Sequence, residues 1–354
     1  MIARGFFIAG EWRYVSSPAY LFAMNILPVS SSTLSANALI PVLRTAYNFS
    51  DQLSCRIIRA GVNHTYLVTD NTKRYVFRIY SHDWRTIEEI EEELRFILHL
   101  KEQQVPVSYP IADQQGSMIR ELQAPEGLRY GVLFSYARGE KMLSMDDNAH
   151  FRIGTIMAQM HRQASGFTIK RVTYTPQVLL QEPLPLLRGF LPDGIPEMAF
   201  MERCSTYLFD VLSAADTSQL RTGTVHLDIW FDNLNVDQDG NATLFDFDFC
   251  GNGWLCLDVA YYLMQLYFLE PDTQLQKRDR FLKGYESVTP LTAEEKRLLP
   301  FLGTSLYFFY LGVQCRRFED WSNVFLSETY LKRYIQVRVK RFFDYSVPGN
   351  DMKL

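Results

Sequence analysis

The chain has 354 residues, 47% of them hydrophobic and 21% charged, with 36 basic and 40 acidic side chains and a net charge of −4. At roughly 150 residues per domain this is about two domains, or one globule with two lobes, and the composition excludes a disordered, collagen-like or coiled-coil protein. The slight acidity supplies no basic field for nucleic acid or an anionic membrane, so a polyanionic ligand must be met by local groups.

Residues 1–35 read as a flexible lead-in. The run Gly5 to Gly10 is apolar but is broken by Glu11 and Arg13, a poor signal peptide; Met24 is an alternative start, and the serine-rich Ser30–Ser35 ends the segment. Residues 36–137 read as a first lobe built on an antiparallel sheet. Strand-like runs lie at Ser54–Ile58, His64–Thr69 and Arg74–Tyr80, the last two joined by the turn residues Asp70 to Lys73. Thr86–Gln104 is predicted helical, with Ile90, Leu94, Ile97 and Leu98 on one face and Pro106 beyond its end. Further strands are expected near Ser117–Glu121 and Arg129–Tyr136, followed by a hinge near Gly139. Residues 138–354 read as a helical second lobe, with amphipathic candidates at Ala149–Ser165 and Met201–Ala215 and an aromatic-rich helical series from Leu257. The sum is an α+β fold. Apolar stretches such as Leu306–Val313 fall short of the roughly 20 residues that span a bilayer, so no membrane span is expected. The five cysteines are odd in number and form no C-x-x-C pair, which suits a reducing, cytoplasmic compartment.

The chemistry concentrates in two segments. His226, Asp228 and Asn233 stand at the spacing H-x-D-x-x-x-x-N, and Asp246 follows the apolar pair Leu244-Phe245. Phosphoryl transfer needs a carboxylate to orient and accept the proton of an attacking hydroxyl, and oxygen ligands for the magnesium on a triphosphate. A short loop can turn Asp228 toward the acceptor and Asn233 back to the metal, while Asp246 supplies a second ligand from a strand end. The run Asp237 to Gly240 is a hairpin turn.

These residues resemble the aminoglycoside phosphotransferase and choline kinase superfamily, whose fold is protein-kinase-like with two lobes. The likeness is carried by His226-Leu227-Asp228 to Asn233, by Phe245-Asp246-Phe247 and by Asp258-Val259-Ala260, and runs from about Cys55 to about Leu263. It implies ATP and Mg2+ as cofactors, Asp228 as catalytic base, Asn233 and Asp246 as metal ligands, and Asp258 bracing the catalytic loop. Asp248 takes the place of the glycine of D-F-G as a supporting group, and His226 organises the loop. Two departures stand out: Leu227 replaces the usual glycine, and Ile229-Trp230-Phe231 makes the loop bulky. In the first lobe Gly61 and Asn63 lie in a turn that resembles the phosphate-covering one. Arg78 stands where the family has a phosphate-contacting lysine, Glu93 is its expected partner, and the backbone of Ser135 to Ala137 is expected to read the adenine edge. His161 is expected to be structural. Tyr307 to Tyr310 with Trp321 could form an aromatic cage for a cationic amino alcohol, although a helical aromatic stripe is more often core.

The leading expectation is an ATP- and Mg2+-dependent phosphotransferase acting on the hydroxyl of a small molecule: an amino alcohol, a homoserine-like compound or an aminoglycoside. Neither nucleic acid nor membrane is an expected partner. The alternatives are a protein Ser/Thr kinase of the bacterial stress-kinase type and a nucleotide-binding pseudoenzyme. Arg78→Ala is expected to lower turnover with the fold intact, and Glu93→Ala to mimic it more mildly.

Overall fold

The computed structural model describes residues 6–8, 11–13, 27–141, 147–268, 271–318, 325–349 and 352. A short antiparallel pair, β1 (Phe6–Ile8) and β2 (Glu11–Arg13), precedes helix α1 (Ala36–Tyr47). Strands β3 (Ser54–Ala60), β4 (His64–Asp70) and β5 (Lys73–Ile79) follow, then α2 (Ile87–Glu102), β6 (Ile119–Ala124) and β7 (Gly127–Ser135). These five strands form one antiparallel sheet in the order β3-β4-β5-β7-β6. In the chain α2 lies between β5 and β6, and its Glu93 reaches Arg78 of β5.

Helix α2 begins where local chemistry dictates. Thr86 accepts from the Glu89 N–H while the Glu89 carboxylate accepts from the Thr86 N–H, a capping box, and Glu88 and Glu89 sit in the first turn. Its apolar face, Ile90, Leu94 and Ile97, joins the core of the second lobe. One face of the sheet is covered by α1, through Leu39 and Leu43 against Tyr66, Phe77 and Leu133. Serine-rich residues 30–35 make defined contacts with this lobe: Ser32 bonds both oxygens of Glu126, its carbonyl accepts from Arg129 (2.8 Å), and the Leu34 carbonyl accepts from the Tyr66 hydroxyl (2.6 Å).

The second lobe comprises α3 (Asp147–Ala164), a π-helical turn (Gln177–Gln181), α4 (Pro183–Arg188), α5 (Pro196–Ser213), and the short strands β8 (Thr222–Val225), β9 (Leu234–Val236), β10 (Ala242–Leu244) and β11 (Gly251–Trp254). It closes with α6 (Cys256–Leu266), α7 (Pro271–Glu286), α8 (Ala293–Arg316), α9 (Glu328–Tyr334), a second π-helical turn (Ile335–Lys340) and α10 (Arg341–Ser346). Hairpin β9-β10 and pair β8-β11 hold the two chemistry-bearing loops side by side. Helix α8 is longer than its apolar run suggests, and its length and hydropathy would let it cross a bilayer. Here its residues from Leu298 to Cys315 pack into the core of the lobe, and Glu294 and Glu295 start it from a Thr292 capping box.

The connection between lobes is pressed against the second one. Gly139 has φ +94°, and a Cβ there would lie 2.1 Å from the Val236 carbonyl oxygen. The next residue, Glu140, exchanges both backbone hydrogen bonds with Val236 (3.1 and 3.0 Å). Only glycine satisfies both the backbone angle and the approach.

Candidate active site

The loop after β8 is gripped from behind by the first turn of α6. Asp258, fully buried, accepts from the His226 N–H at Oδ2 (2.9 Å) and from the Leu227 N–H at Oδ1 (2.5 Å). His161 of α3 bonds the same Oδ2 (2.9 Å) and is itself held by the Tyr285 hydroxyl (2.8 Å). His226 uses Nε2–H to donate to the Phe245 carbonyl (3.1 Å) and Nδ1 to accept from the Asp228 N–H (3.2 Å). Burial keeps this imidazole neutral by lowering its pKa, so it ties the two loops together.

Two non-glycine residues here adopt left-handed backbone: Leu227 at φ +64° and Asp246 at φ +66°. Such angles are costly for a branched side chain, and they fall on the two segments that carry the chemistry. Leu227 is also fully buried. Its replacement by glycine relieves about 1–2 kcal/mol of backbone cost but forfeits packing worth about 2–5 kcal/mol. Leu227→Gly is therefore expected to lower the thermal unfolding midpoint; an unchanged or higher midpoint would show that strain outweighs packing.

Asp228 has both carboxylate oxygens occupied. Oδ2 accepts from Asn233 Nδ2 (2.6 Å) and Oδ1 from the Tyr261 hydroxyl (2.5 Å). Burial pushes its pKa up to about 8; the Asp246 charge adds to this, and the Tyr261 and Asn233 hydrogen bonds oppose it. Asn233 also donates Nδ2 to the Asp228 carbonyl (3.0 Å), so its amide hydrogens are spent on Asp228 and its amide oxygen remains for another partner.

Asp246 meets Arg78 Nη1 at 2.9 Å across the lobes. Arg78 is 6% exposed and forms a short ion pair with Glu93 of α2 and a hydrogen bond to the Tyr80 hydroxyl (2.6 Å). The fully buried Glu93 faces a second guanidinium as well, Arg171 Nη1 at 3.5 Å. Burial works against both charged arginines, and for Arg78 it is outweighed by Glu93, Tyr80, Asp246 and Asp248 acting together, which raise its pKa. Asp248 points away from Asp246 to the β5–α2 loop: its carboxylate accepts from Trp84 Nε1 (2.7 Å) and Arg85 Nε (3.3 Å), and its carbonyl from Arg85 and Arg171 (2.7 and 2.5 Å). Burial raises its proton affinity, but Arg85, Arg78 and Arg171 outweigh that and hold the pKa below the usual carboxylate range.

A cavity of about 440 Å³ lies between the lobes, with Arg59, Thr65, Val76, Arg78 and Phe134 on the sheet side, Ala137 at the connection, and Asn233 and Asp246 on the second-lobe side. At the connection the Ser135 carbonyl accepts from the Ser108 hydroxyl (2.6 Å) and its N–H donates to the Tyr109 carbonyl (2.8 Å). The Ala137 carbonyl accepts from Asn235 Nδ2 (2.8 Å), and its N–H has no acceptor among the described residues. In the β3–β4 turn the Asn63 side chain is turned inward, accepting from the Ser81 N–H (3.3 Å). A Cβ on Gly61 would meet only the Arg59 side chain, at 3.6 Å. Nothing in the protein itself requires glycine at that position.

A second cavity, about 380 Å³, opens beneath the β5–α2 loop. Trp84 and Arg85 form one wall, Phe249 and Tyr174 another, and Phe309 and Val313 of α8 a third. Phe249 lies 5.5 Å, centroid to centroid, from Tyr310, whose hydroxyl donates to the Leu227 carbonyl in the catalytic loop. The expected aromatic cage is divided. Tyr307 and Phe308 are buried in the core, Phe309 lines the second cavity, Tyr310 bonds the Leu227 carbonyl, and Trp321 lies outside the described residues.

The residues that sequence reasoning missed are Tyr80, Trp84, Arg85, Arg171 and Tyr261, and Tyr310, expected in an aromatic cage, instead bonds the loop. Only Tyr261 carried a signal, standing one helical turn after Asp258 on the same face.

The sequence matches the phosphotransferase enzyme family over residues 54–295. It is 31% identical over 333 residues to an uncharacterized protein of Synechocystis sp., covering 90% of this chain and 89% of that one. It is 27% identical over 256 residues to a homoserine kinase of Methylobacillus glycogenes, covering 72% and 77%. Among solved structures, an amicoumacin kinase in complex with AMP-PNP, Ca2+ and its ligand superposes with a TM-score of 0.69 at 19% identity, covering 86% of this chain and 94% of that one. The two lobes, the five-stranded sheet and the paired loops are those of the protein-kinase-like fold, and the chain belongs to the phosphotransferase enzyme family.

Proposed function

We propose that the protein transfers the γ-phosphoryl group of ATP, with Mg2+, to the hydroxyl of a small molecule. The observation that carries this reading is the division of labour within three side chains: Asn233 fixes Asp228 through its amide hydrogens, which leaves its oxygen for another partner, and Asn233 and Asp246 line the same cleft. Two protein oxygens suit magnesium, which is commonly held by one or two protein groups and completed by phosphates and water. Asn233 and Asp246 would hold it, and the bound ion would neutralise charge on the phosphates. Arg78 supports phosphate placement, as a guanidinium that stays charged while paired to a carboxylate. Gly61 fits a phosphate-covering turn, since the space beside it is left by no demand of the protein.

Asp228 accepts the proton of the acceptor hydroxyl as the new oxygen–phosphorus bond forms and the bond to the ADP oxygen breaks. The second cavity, of about 380 Å³ and with a wall linked through Phe249 and Tyr310 to the catalytic loop, suits a small acceptor. The relatives that phosphorylate homoserine support the same class. ATP consumption across a panel of hydroxyl metabolites, including homoserine and amino alcohols, tests the acceptor. For the nucleotide half, ATP is expected to raise the unfolding temperature only with magnesium present, by linkage of binding to stability, and Asp246→Ala to abolish that shift. Equal shifts with and without chelator would defeat the metal assignment.

A further inference from the structure

We infer that Tyr261 is a positioning residue for Asp228, with Tyr310 buttressing it, and that Asp258 and Tyr261, one turn apart on α6, together set the geometry of the base. The inference rests on the reading of Asp228 as the base. Asp258 and Tyr261 are three residues apart on one helix and so share a face. Asp258 takes the N–H groups of His226 and Leu227, and Tyr261 takes the side chain of Asp228. One helical turn therefore fixes three consecutive loop residues, two by backbone and one by carboxylate. Tyr310 of α8 packs on Tyr261 at 5.5 Å between centroids and donates to the Leu227 carbonyl. Helices α6 and α8 thus reach the same loop from two directions.

A carboxylate held by Asn233 alone could still turn about its side-chain bonds. The Tyr261 hydroxyl on Oδ1 opposes Asn233 on Oδ2, so the plane of the carboxylate is fixed from both ends. Each oxygen keeps one lone pair, and the fixed plane decides which way it faces. Pre-set orientation of a base is a contribution to rate that ground-state nucleotide binding does not share. The null alternative is a buried tyrosine that satisfies its hydroxyl on whatever acceptor is near.

The test compares wild type, Tyr261→Phe, Tyr310→Phe, Asp228→Asn and the double variant Tyr261→Phe/Asp228→Asn. Turnover is read as magnesium-dependent ATP consumption, with homoserine as the probe acceptor and with water alone. Binding is read as the Mg-ATP thermal shift. Tyr261→Phe is expected to lower kcat about ten- to a hundredfold, the range for hydrogen bonds to charged groups, with an unchanged KM for ATP and an unchanged shift. Tyr310→Phe should show a smaller loss of the same kind. In the Asp228→Asn background Tyr261→Phe should add nothing. The proposal is overturned if Tyr261→Phe keeps full kcat, if its loss is equal in the Asp228→Asn background, or if kcat falls only together with the Mg-ATP shift. Failure of the underlying reading looks different: Asp228→Asn would then turn over ATP as fast as wild type, and the role of Tyr261 would go with it.

Discussion

Asp228→Asn is expected to reduce phosphate transfer by roughly 10²- to 10⁴-fold while leaving magnesium-dependent nucleotide binding in place. The amide is nearly the same shape, but it cannot take the acceptor's proton, and it must set an N–H against the donors of Tyr261 or Asn233. Its effect on stability has the opposite sign. The Asp228 carboxyl in the folded protein has its pKa raised to about 8, from 3.8, mainly by burial and then by Asp246. An acid whose folded pKa is raised stabilises the fold below its unfolded pKa, and that contribution is lost as pH rises through the folded value. Wild type should therefore lose stability between about pH 4 and pH 8 at this site, and the asparagine variant should not. A higher unfolding temperature for Asp228→Asn at pH 8, together with its loss of turnover, is the expected pair of results. Retained turnover would remove Asp228 from the central role. A lower unfolding temperature at pH 8 would show that the mispaired amide costs more than the buried charge.

The largest stability effect is expected from Glu93→Ala. Glu93 is the only carboxylate that faces both Arg78 and Arg171 among the described ion pairs, and all three side chains are buried. Removing it leaves Arg171 without its ion-pair partner among the described residues and Arg78 with Asp246 alone, a loss of about 3–5 kcal/mol by comparison with other broken buried pairs. Arg78→Ala leaves Glu93 with Arg171 and with the Tyr80 hydroxyl at 3.1 Å, so it should be milder in stability although it lowers turnover. For stability the order is thus opposite to the one expected for turnover. Chemical denaturation of the two variants and of Glu93→Gln checks it. Equal losses for Arg78→Ala and Glu93→Ala would mean that Arg171 does not share the charge.

Much of this was legible because it is local. The turn residues between β4 and β5, the helix from Thr86 and the spacing of Asp228, Asn233 and Asp246 are all written within a few residues. Helix α1 was not foreseen: it follows a serine-rich stretch and is held chiefly by Leu39 and Leu43 on the distant Tyr66 and Phe77. Arg171 was also hidden, since its partners Glu93, Phe247, Asp248 and Cys250 lie on other elements. Asp248 shows the limit most sharply. Its position beside Asp246 suggested the same neighbourhood, yet the turn over Phe247–Phe249 sends it to Trp84 and Arg85.

The clamped connection at Gly139 governs how the cleft can breathe. Two lobes joined by a free strand swivel like a book on its spine, but here the spine is stitched to the hairpin: Glu140 to Val236 by backbone, Asn235 to Ala137, and Lys141 to Asp232 at 3.1 Å. Asp232 and Asn233 are adjacent, so the linker is coupled to the Asn233 end of the loop. Admission of a nucleotide must then come from flexing of the β3–β4 flap above the cleft or from slippage of the α2 contacts, with the linker and catalytic loop travelling as one piece.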